Sequence, residues 1–326
     1  MKAILCTELT GPDGLHLAEL PDPTAGPGEV VVGIRACGVN FADTLIVQGK
    51  YQEKPPLPFV PGAEIAGDVL AVGKDVTHLR PGQRVAALCQ TGGFAQQVAV
   101  DAQRCVPLPD AMAYEPAAGF LITYGTSHVA LAHRAQVQPG ETLLVHGAAG
   151  GVGLAAVEIG ALLGAEVIAT ASSAEKLALA RKYGAAHTID YTQEDFVGRV
   201  KAITGGQGAD VILDPVGGDV FDRSLRCIAW EGRLLIIGFA SGRIPQIPAG
   251  LLLVKNVSAL GLYWGAYAQR DPQVLTDSLA TLFAWRAQGK LTPHISTTYP
   301  LEETGKALRA LMERRSTGKV VVVMGA

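Results

Sequence analysis

The stretch Val145-His146-Gly147-Ala148-Ala149-Gly150-Gly151-Val152-Gly153 constrains this chain more than any other. Before it stands the β-rich run Thr142-Leu143-Leu144-Val145. After it, the segment from Leu154 to Leu163 is apolar nearly all round, the pattern of a buried helix. The predicted order is strand, glycine turn, buried helix. A dinucleotide pyrophosphate needs backbone N–H groups that side chains do not obstruct, and a helix N-terminus whose partial positive charge faces the phosphates. Ala148, Gly150 and Gly153 meet that need, with alanine where the dinucleotide fingerprint usually has its first glycine. Gly151 and Val152 belong to the same turn and are counted with it.

A chain of 326 residues exceeds the usual single-domain range, so two domains are expected. Charged residues make up 17%, below the roughly 25% typical of soluble domains, which predicts much buried surface, part of it between subunits. Net charge is −3 and no dense Lys/Arg run occurs, so neither nucleic acid nor an anionic membrane is an expected partner. The expected partner is a small molecule. The short apolar run Ala3-Ile4-Leu5-Cys6 is no signal-peptide core and reads as a first strand. The longest apolar tract, 142–171, is interrupted by Glu158, Glu166 and several glycines, which argues for a buried βαβ unit over a membrane span. Five scattered cysteines suggest no disulfide framework and fit a reducing compartment. The protein is expected to be cytoplasmic.

Residues 1–118 are rich in Gly and Pro, with short strand-like runs at 29–36, 65–72, 84–89 and 94–100 separated by turns such as Pro61-Gly62 and Pro81-Gly82. This texture predicts a small, irregular β-barrel. From Pro116 the pattern becomes helical, through Ala117 to His133. Strands are then predicted at 142–145, 166–171, 187–189, 210–213, 233–237 and 257–262, with helices starting near Val152, Ser173, Gln193 and Asp219. That alternation gives about six parallel strands wound on both faces. The tail adds a helix over 272–288, a strand over 294–299, a helix over 301–314 and a final strand over 319–323. The dinucleotide fold is placed at 119–265, with 266–326 completing the first domain and the cleft between the domains as the default ligand site.

NAD sites commonly place Asp or Glu at the end of the second strand, where it accepts from the ribose 2′-hydroxyl. Here that strand ends at Ala171. Ser172, Ser173 and Lys176 follow, groups that favour a 2′-phosphate, and NADPH is therefore the expected cofactor. One of the two serines can also N-cap the next helix, a role compatible with phosphate binding.

The order and combination of several motifs carry a family resemblance: Gly38-Val39-Asn40-Phe41-Ala42-Asp43, Gly49-Lys50-Tyr51, Pro61-Gly62-Ala63-Glu64, His146 to Gly153, Asp214-Pro215-Val216-Gly217-Gly218 and Lys255-Asn256-Val257. The chain resembles the medium-chain dehydrogenase/reductase superfamily over nearly its whole length. More narrowly, it resembles the zinc-independent quinone oxidoreductases, the group that includes zeta-crystallin. The fold that this implies is α/β: a doubly wound parallel Rossmann sheet plus a GroES-like β-barrel domain completed by the C-terminal tail. The zinc enzymes of the superfamily hold catalytic zinc through an early Cys, a His in Gly-His-Glu and a later Cys or Asp. Asn40, Ala63 and Ala118 stand near those positions, and no close set of four cysteines surrounds Cys89 and Cys105. No metal is expected, and the seven histidines are expected to be structural.

By the same resemblance Asn40 sits beside nicotinamide and substrate, and Thr126, or Thr123, lies near the cofactor. Lys176 and Tyr191 meet the 2′-phosphate, Gly238 and Phe239 form the loop on the nicotinamide side, and Asn256 is a further cofactor contact. Asp43 and Glu64 are expected to be structural hydrogen-bond acceptors. Leu45 stands where many quinone reductases carry Tyr, which leaves that position without an implied substrate role. The reaction implied is hydride transfer from NADPH to a quinone or an α,β-unsaturated carbonyl compound, whose product charge is delocalised and needs no zinc. Tyr51 is the first candidate proton donor, with Tyr263 or Tyr267 lining the same cleft. A homodimer is implied. The competing reading is a non-enzymatic NADPH-binding sensor or structural protein, because fold does not fix function.

Overall fold

The computed structural model describes residues 1–325, and the chain divides into two units: Met1–Ile122 together with the segment from Pro293 onward, and Thr123–Thr292. The first unit begins with β1 (Lys2–Cys6) and β2 (Leu15–Glu19), an antiparallel pair. Then come β3 (Glu29–Val39), α1 (Phe41–Ile46), β4 (Glu64–Val72), β5 (Arg84–Leu88), β6 (Gln97–Asp101) and β7 (Cys105–Pro107). Helices α2 (Tyr114–Ala118) and α3 (Leu121–His128) follow.

The second unit alternates strand and helix: β8 (Thr142–Val145), α4 (Gly151–Leu162), β9 (Glu166–Ala171), α5 (Ala174–Lys182), β10 (His187–Asp190), α6 (Phe196–Ile203), β11 (Ala209–Asp214), α7 (Gly218–Ser224) and β12 (Ile228–Ile236). It ends with α8 (Ala249–Lys255), β13 (Ser258–Gly261), α9 (Tyr267–Arg270) and α10 (Pro272–Ala287). The chain then returns to the first unit as β14 (Ile295–Pro300), α11 (Thr304–Met312) and β15 (Lys319–Val323).

In the first unit the strand order is β14-β15-β3-β4-β5-β7, with β6 also on β3. β15 runs antiparallel to β3, pairing Val322 with Cys37, so the tail supplies two strands of the N-terminal sheet. Its side chains Leu301, Leu308, Val320 and Val322 enter the same core as Ile4, Val32 and Ile65. Each such buried aliphatic side chain contributes about 1.5–3 kcal/mol, so the unit closes its core only when the tail has docked.

In the second unit six parallel strands follow the order β10-β9-β8-β11-β12-β13. Helices cover the sheet, and strands covered in this way are apolar without alternation. Leu143, Leu144 and Val145 are accordingly all fully buried. α4 is buried from Gly153 to Gly160, which explains its apolar girth. Both expected layers are therefore present, the doubly wound sheet and the β-rich, GroES-like domain.

Three expectations change. The domain boundaries expected at 118/119 and 265/266 fall instead at Ile122/Thr123 and Thr292/Pro293. The second shift has a packing cause, because α10 buries Leu282 fully and its Ser278 hydroxyl meets His128 Nδ1 at 2.9 Å, which ties it to the central unit. The helical stretch expected from 117 to 133 is broken into α2, α3 and a π-helical turn over Val129–Arg134. α8 was not foreseen, since Ala249–Lys255 buries no residue fully and carries no amphipathic pattern.

Candidate active site

In the second unit the glycine turn begins where β8 ends. Gly147 takes a left-handed φ of 58°, and its carbonyl accepts from Gly150 N at 2.9 Å. Gly150 then caps α4, whose first intrahelical bond runs from Leu154 N to Gly150 O at 2.8 Å. The amides of Gly151, Val152 and Gly153 precede that bond and have no acceptor within the helix. The two outer glycines do different work. A Cβ on Gly153 would lie 2.2 Å from Gly147 O, so only glycine lets the helix start so close to the turn. A Cβ on Gly150 meets nothing nearer than Gly147 O at 3.4 Å, so the protein itself leaves room at the cap of α4. The residues thus fit a pyrophosphate. Ala148 contributes differently from expectation: its N–H donates to Thr170 O at 3.1 Å, so it shapes the turn and offers no amide of its own.

α3 packs on the first turn of α4 through Ser127, whose hydroxyl lies 2.9 Å from Val152 O and 2.8 Å from Thr123 O. Thr123 and Thr126 lie on that same helix and are both buried. At the carboxyl ends of β9 and β10, Tyr191 N donates to Ala171 O at 3.2 Å, which sets Tyr191 beside Ser172 and Ser173. Ser173 caps α5 by accepting from Lys176 N at 3.4 Å. Tyr191 remains 42% exposed, open to a ligand. Asp190, the last residue of β10, takes the Thr192 backbone N–H and hydroxyl on its Oδ1.

After β12 the loop carrying Gly238 and Phe239 runs alongside residues 215–217. Ala240 N donates to Pro215 O at 3.1 Å and Ser241 N to Val216 O at 2.9 Å. Asp214 Oδ1 holds the inner loop by accepting from Val216 N and Gly217 N. Its Oδ2 is buried without a partner, and burial raises its pKa. Gly217 is required here, because a Cβ would lie 2.9 Å from Phe239 Cδ1.

Asn256 does not join this edge. It ends α8 in a left-handed conformation just before β13 begins, at the amino edge of the parallel sheet, whereas the phosphate turn and the Gly238 loop lie at the carboxyl edge. Neighbouring Lys255 confirms the placement, since its ammonium donates to Ile228 O at the start of β12. Asn256 is therefore a helix-capping residue. Tyr263 is 43% exposed after β13, and the Tyr267 ring stands edge-on to His133 at 5.7 Å.

In the first unit β3 delivers Asn40 to the start of α1. Its backbone N–H donates to Asp43 Oδ2 at 2.7 Å, part of a capping box. Its side-chain Nδ2 donates to Glu64 Oε2 at 3.1 Å and Gly38 O at 3.2 Å, and its Oδ1 accepts from Lys319 Nζ at 2.8 Å. Both carboxamide hydrogens are thus engaged inside the protein. Glu64 is fully buried, with its Oε1 accepting from Ile122 N at 2.9 Å, and acts as the structural acceptor expected of it. Asp43 Oδ1 is buried with no partner, and burial pushes this carboxyl up to about 7 against the opposing hydrogen bond from Asn40 and the Lys319 charge. Tyr51 is half-buried beyond the Gly49 turn, so α1 separates it in sequence from Asn40. Among the described residues no group of three or more His, Cys, Asp or Glu side chains is arranged for a metal ion.

Two residues escaped the sequence reading. Lys319 opens the strand Lys-Val-Val-Val-Val, and a charge at the head of so apolar a strand was the available clue that it needs a buried carboxylate. His146 sits inside the fingerprint itself, bonded to Thr170 Oγ1 at 3.0 Å and Ser224 Oγ at 2.9 Å, and burial pushes it down to about 3.

A family model described as the alcohol dehydrogenase GroES-like domain matches residues 26–110, and one described as zinc-binding dehydrogenase matches residues 151–281. The chain is 46% identical to the quinone oxidoreductase-like protein 2 homolog of Nematostella vectensis, over 98% of this chain and 88% of the relative. Escherichia coli quinone oxidoreductase complexed with NADPH superposes with a TM-score of 0.92 at 32% identity, covering 99% of this chain and 100% of the other. The CurK enoyl reductase gives a TM-score of 0.91 at 28% identity over 99% of both chains. The chain belongs to the quinone oxidoreductase family of the medium-chain dehydrogenase/reductase superfamily.

Proposed function

We propose that this oxidoreductase uses NADPH to reduce quinones or α,β-unsaturated carbonyl compounds without zinc. The observation that carries the reading is the carboxyl edge of β8, β9 and β10: a glycine turn with three helix-start amides that have no acceptor within the helix, then Ser172, Ser173 and Lys176 after the acid-free end of β9, with Tyr191 following Asp190, whose Oδ1 is taken up by Thr192. The NADPH bound to the Escherichia coli relative supports the same cofactor here. The enoyl reductase similarity favours conjugated carbonyl acceptors.

When bound, NADPH supplies the hydride. The chain's own residues bind, orient and exclude water. The amides of Gly151, Val152 and Gly153 hold the pyrophosphate, and Ser172, Ser173, Lys176 and Tyr191 take the 2′-phosphate. Gly238 and Phe239, braced by the Asp214 loop, limit the room on the nicotinamide side. Since both Asn40 carboxamide hydrogens are engaged, Asn40 shapes the site while the proton comes from Tyr51 or solvent. A quinone or enone suits such a site because its product oxyanion is delocalised and asks less of local donors.

The quaternary state belongs to the same proposal. Ile244, Ile247, Leu251, Leu253 and Val254 are exposed in the segment that links β12 to β13, the last strand of its sheet, and these apolar side chains are covered by a second copy in a homodimer. The five free, buried thiols fit a cytoplasmic enzyme. The described residues contain no helix long and apolar enough to cross a membrane. Oxidation of NADPH and NADH is to be followed over a panel of quinones, enones and enoyl thioesters. The expected result is turnover with at least one class and about a tenfold or larger kcat/KM preference for NADPH. Binding of NADPH with no turnover across the panel would favour the sensor or structural reading.

A further inference from the structure

Four separate stretches of the first unit converge on one buried charge pair. Lys319 is 5% exposed, Glu64 fully buried and Asn40 7% exposed. The ammonium has three hydrogens and three acceptors: Asn40 Oδ1 at 2.8 Å, Val39 O at 3.1 Å and Glu64 Oε2 at 3.1 Å. Glu64 Oε2 in turn accepts from Asn40 Nδ2, and Glu64 Oε1 from Ile122 N. Space for the arrangement depends on Gly38, where a Cβ would lie 2.9 Å from Glu64 Oε2 and 2.0 Å from Ala118 O.

A primary carboxamide can turn over and exchange its oxygen and nitrogen, and its neighbours decide which sense it takes. Here the decision is strict. Turned over, Asn40 would set its NH2 against an ammonium and its oxygen against both a carboxylate and the Gly38 carbonyl, three repulsive contacts in a buried site where charges are poorly screened. Buried ion pairs of this kind add little net stability relative to apolar residues of the same shape, so the gain from this one is better sought in the orientation it imposes on Asn40 than in holding the fold.

We propose that Lys319 is a positioning residue for the reductase reaction: its buried ammonium fixes the orientation of the Asn40 carboxamide and thereby the wall that Asn40 presents to the reacting groups. The proposal rests on the reading that Asn40 adjoins the nicotinamide and the acceptor. Removing the cation leaves Asn40 Oδ1 without its donor and Glu64 without its counter-charge, and the carboxamide is then free to turn. Cofactor affinity is set by phosphate contacts on the second unit and is spared.

The test combines Lys319→Met, Asn40→Ala and the double variant, with Lys319→Gln as the alternative should the Met variant fail to fold. NADPH affinity is read by fluorescence titration, kcat with the best acceptor, and hydrogen exchange of the Asn40 side-chain NH2 by NMR, assigned through its loss in Asn40→Ala. The expected outcome is an NADPH Kd within about twofold of wild type, a kcat at least about tenfold lower in Lys319→Met, and no further loss when Lys319→Met is added to Asn40→Ala. The Asn40 NH2 is slow to exchange in the wild type and exchanges at least about tenfold faster in Lys319→Met. Kcat losses that multiply in the double variant, or an Asn40 NH2 equally protected without the cation, overturn the proposal. Absence of turnover in the wild type itself refutes the reductase reading instead, and the amide exchange then decides the clamp alone.

Discussion

Tyr51 is the residue on which proton delivery is proposed to turn, and it is also the easiest to question. Tyr51→Phe is expected to lower kcat/KM for the best acceptor by about tenfold or more, since general acid catalysis is commonly worth that much. If both it and Asn40→Ala leave kcat/KM unchanged, neither residue has the role assigned. The sequence made Asn40 a candidate, but its engagement was not legible there. Its partners Glu64 and Lys319 lie 24 and 279 positions away, and neither lies within helical or turn reach. His146 was likewise visible only as a histidine. The Ser224 hydroxyl lies 2.7 Å from Val220 O and donates to it, so Nε2 of His146 donates to Ser224 Oγ while Nδ1 accepts from Thr170. The imidazole is thus held neutral, with a folded pKa of about 3 against 6.5 ordinarily. Below 6.5 the unfolded chain takes up a proton that the folded one refuses, so this contribution is complete above pH 6.5 and fades as the pH falls toward 3. Melting curves of wild type and His146→Gln should therefore converge as the pH drops from 7 to 4, and a constant gap would refute the account.

At the scale of elements, the glycine turn and α4 were readable because everything that specifies them is local: an apolar run, glycines at close spacing and a second apolar run. The same locality yields a pair of contrasting predictions. Gly150→Ala is expected to fold with a melting temperature near that of wild type while weakening NADPH binding about tenfold or more, because its methyl clashes with no protein atom but adds bulk at the cap of the helix proposed to hold the pyrophosphate. Gly153→Ala is expected to lose stability as well, by about 1–3 kcal/mol, because its methyl must displace Gly147 O. Thermal unfolding and fluorescence titration of both variants check this, and identical behaviour of the two would contradict it. Asn256 shows where such reading stops. Its motif marks the family, yet the edge of the sheet at which a residue falls depends on strand direction, and only the paired register of β12 with β13 reveals that. α8 was missed for a related reason, since Leu251, Leu253 and Val254 form a short apolar stretch turned outward and give no core-facing stripe.

At the scale of the whole molecule, two units were legible from texture alone, because Gly/Pro-punctuated strands and alternating strand–helix runs differ so plainly. The second crossing was not. α10 looks like the beginning of the tail, and what assigns it to the central unit is long-range contact such as that between Ser278 and His128. Glu158 completes the boundary, accepting from Tyr124 Oη at 2.7 Å and from Thr292 N at 2.8 Å. The exposed apolar side chains around α8 predict a species of twice the chain mass in sedimentation, and a monomer at micromolar concentration would contradict the dimer. The central claim is that the protein reduces conjugated acceptors with hydride from NADPH and without metal. It is tested most directly by supplying NADPH with both C4 hydrogens replaced by deuterium, together with an enone, to the protein before and after dialysis against a chelator. Deuterium is expected at the β-carbon of the product, formed at the same rate with the same cofactor before and after dialysis. Product without deuterium, or activity lost with the metal and restored by zinc, would contradict it.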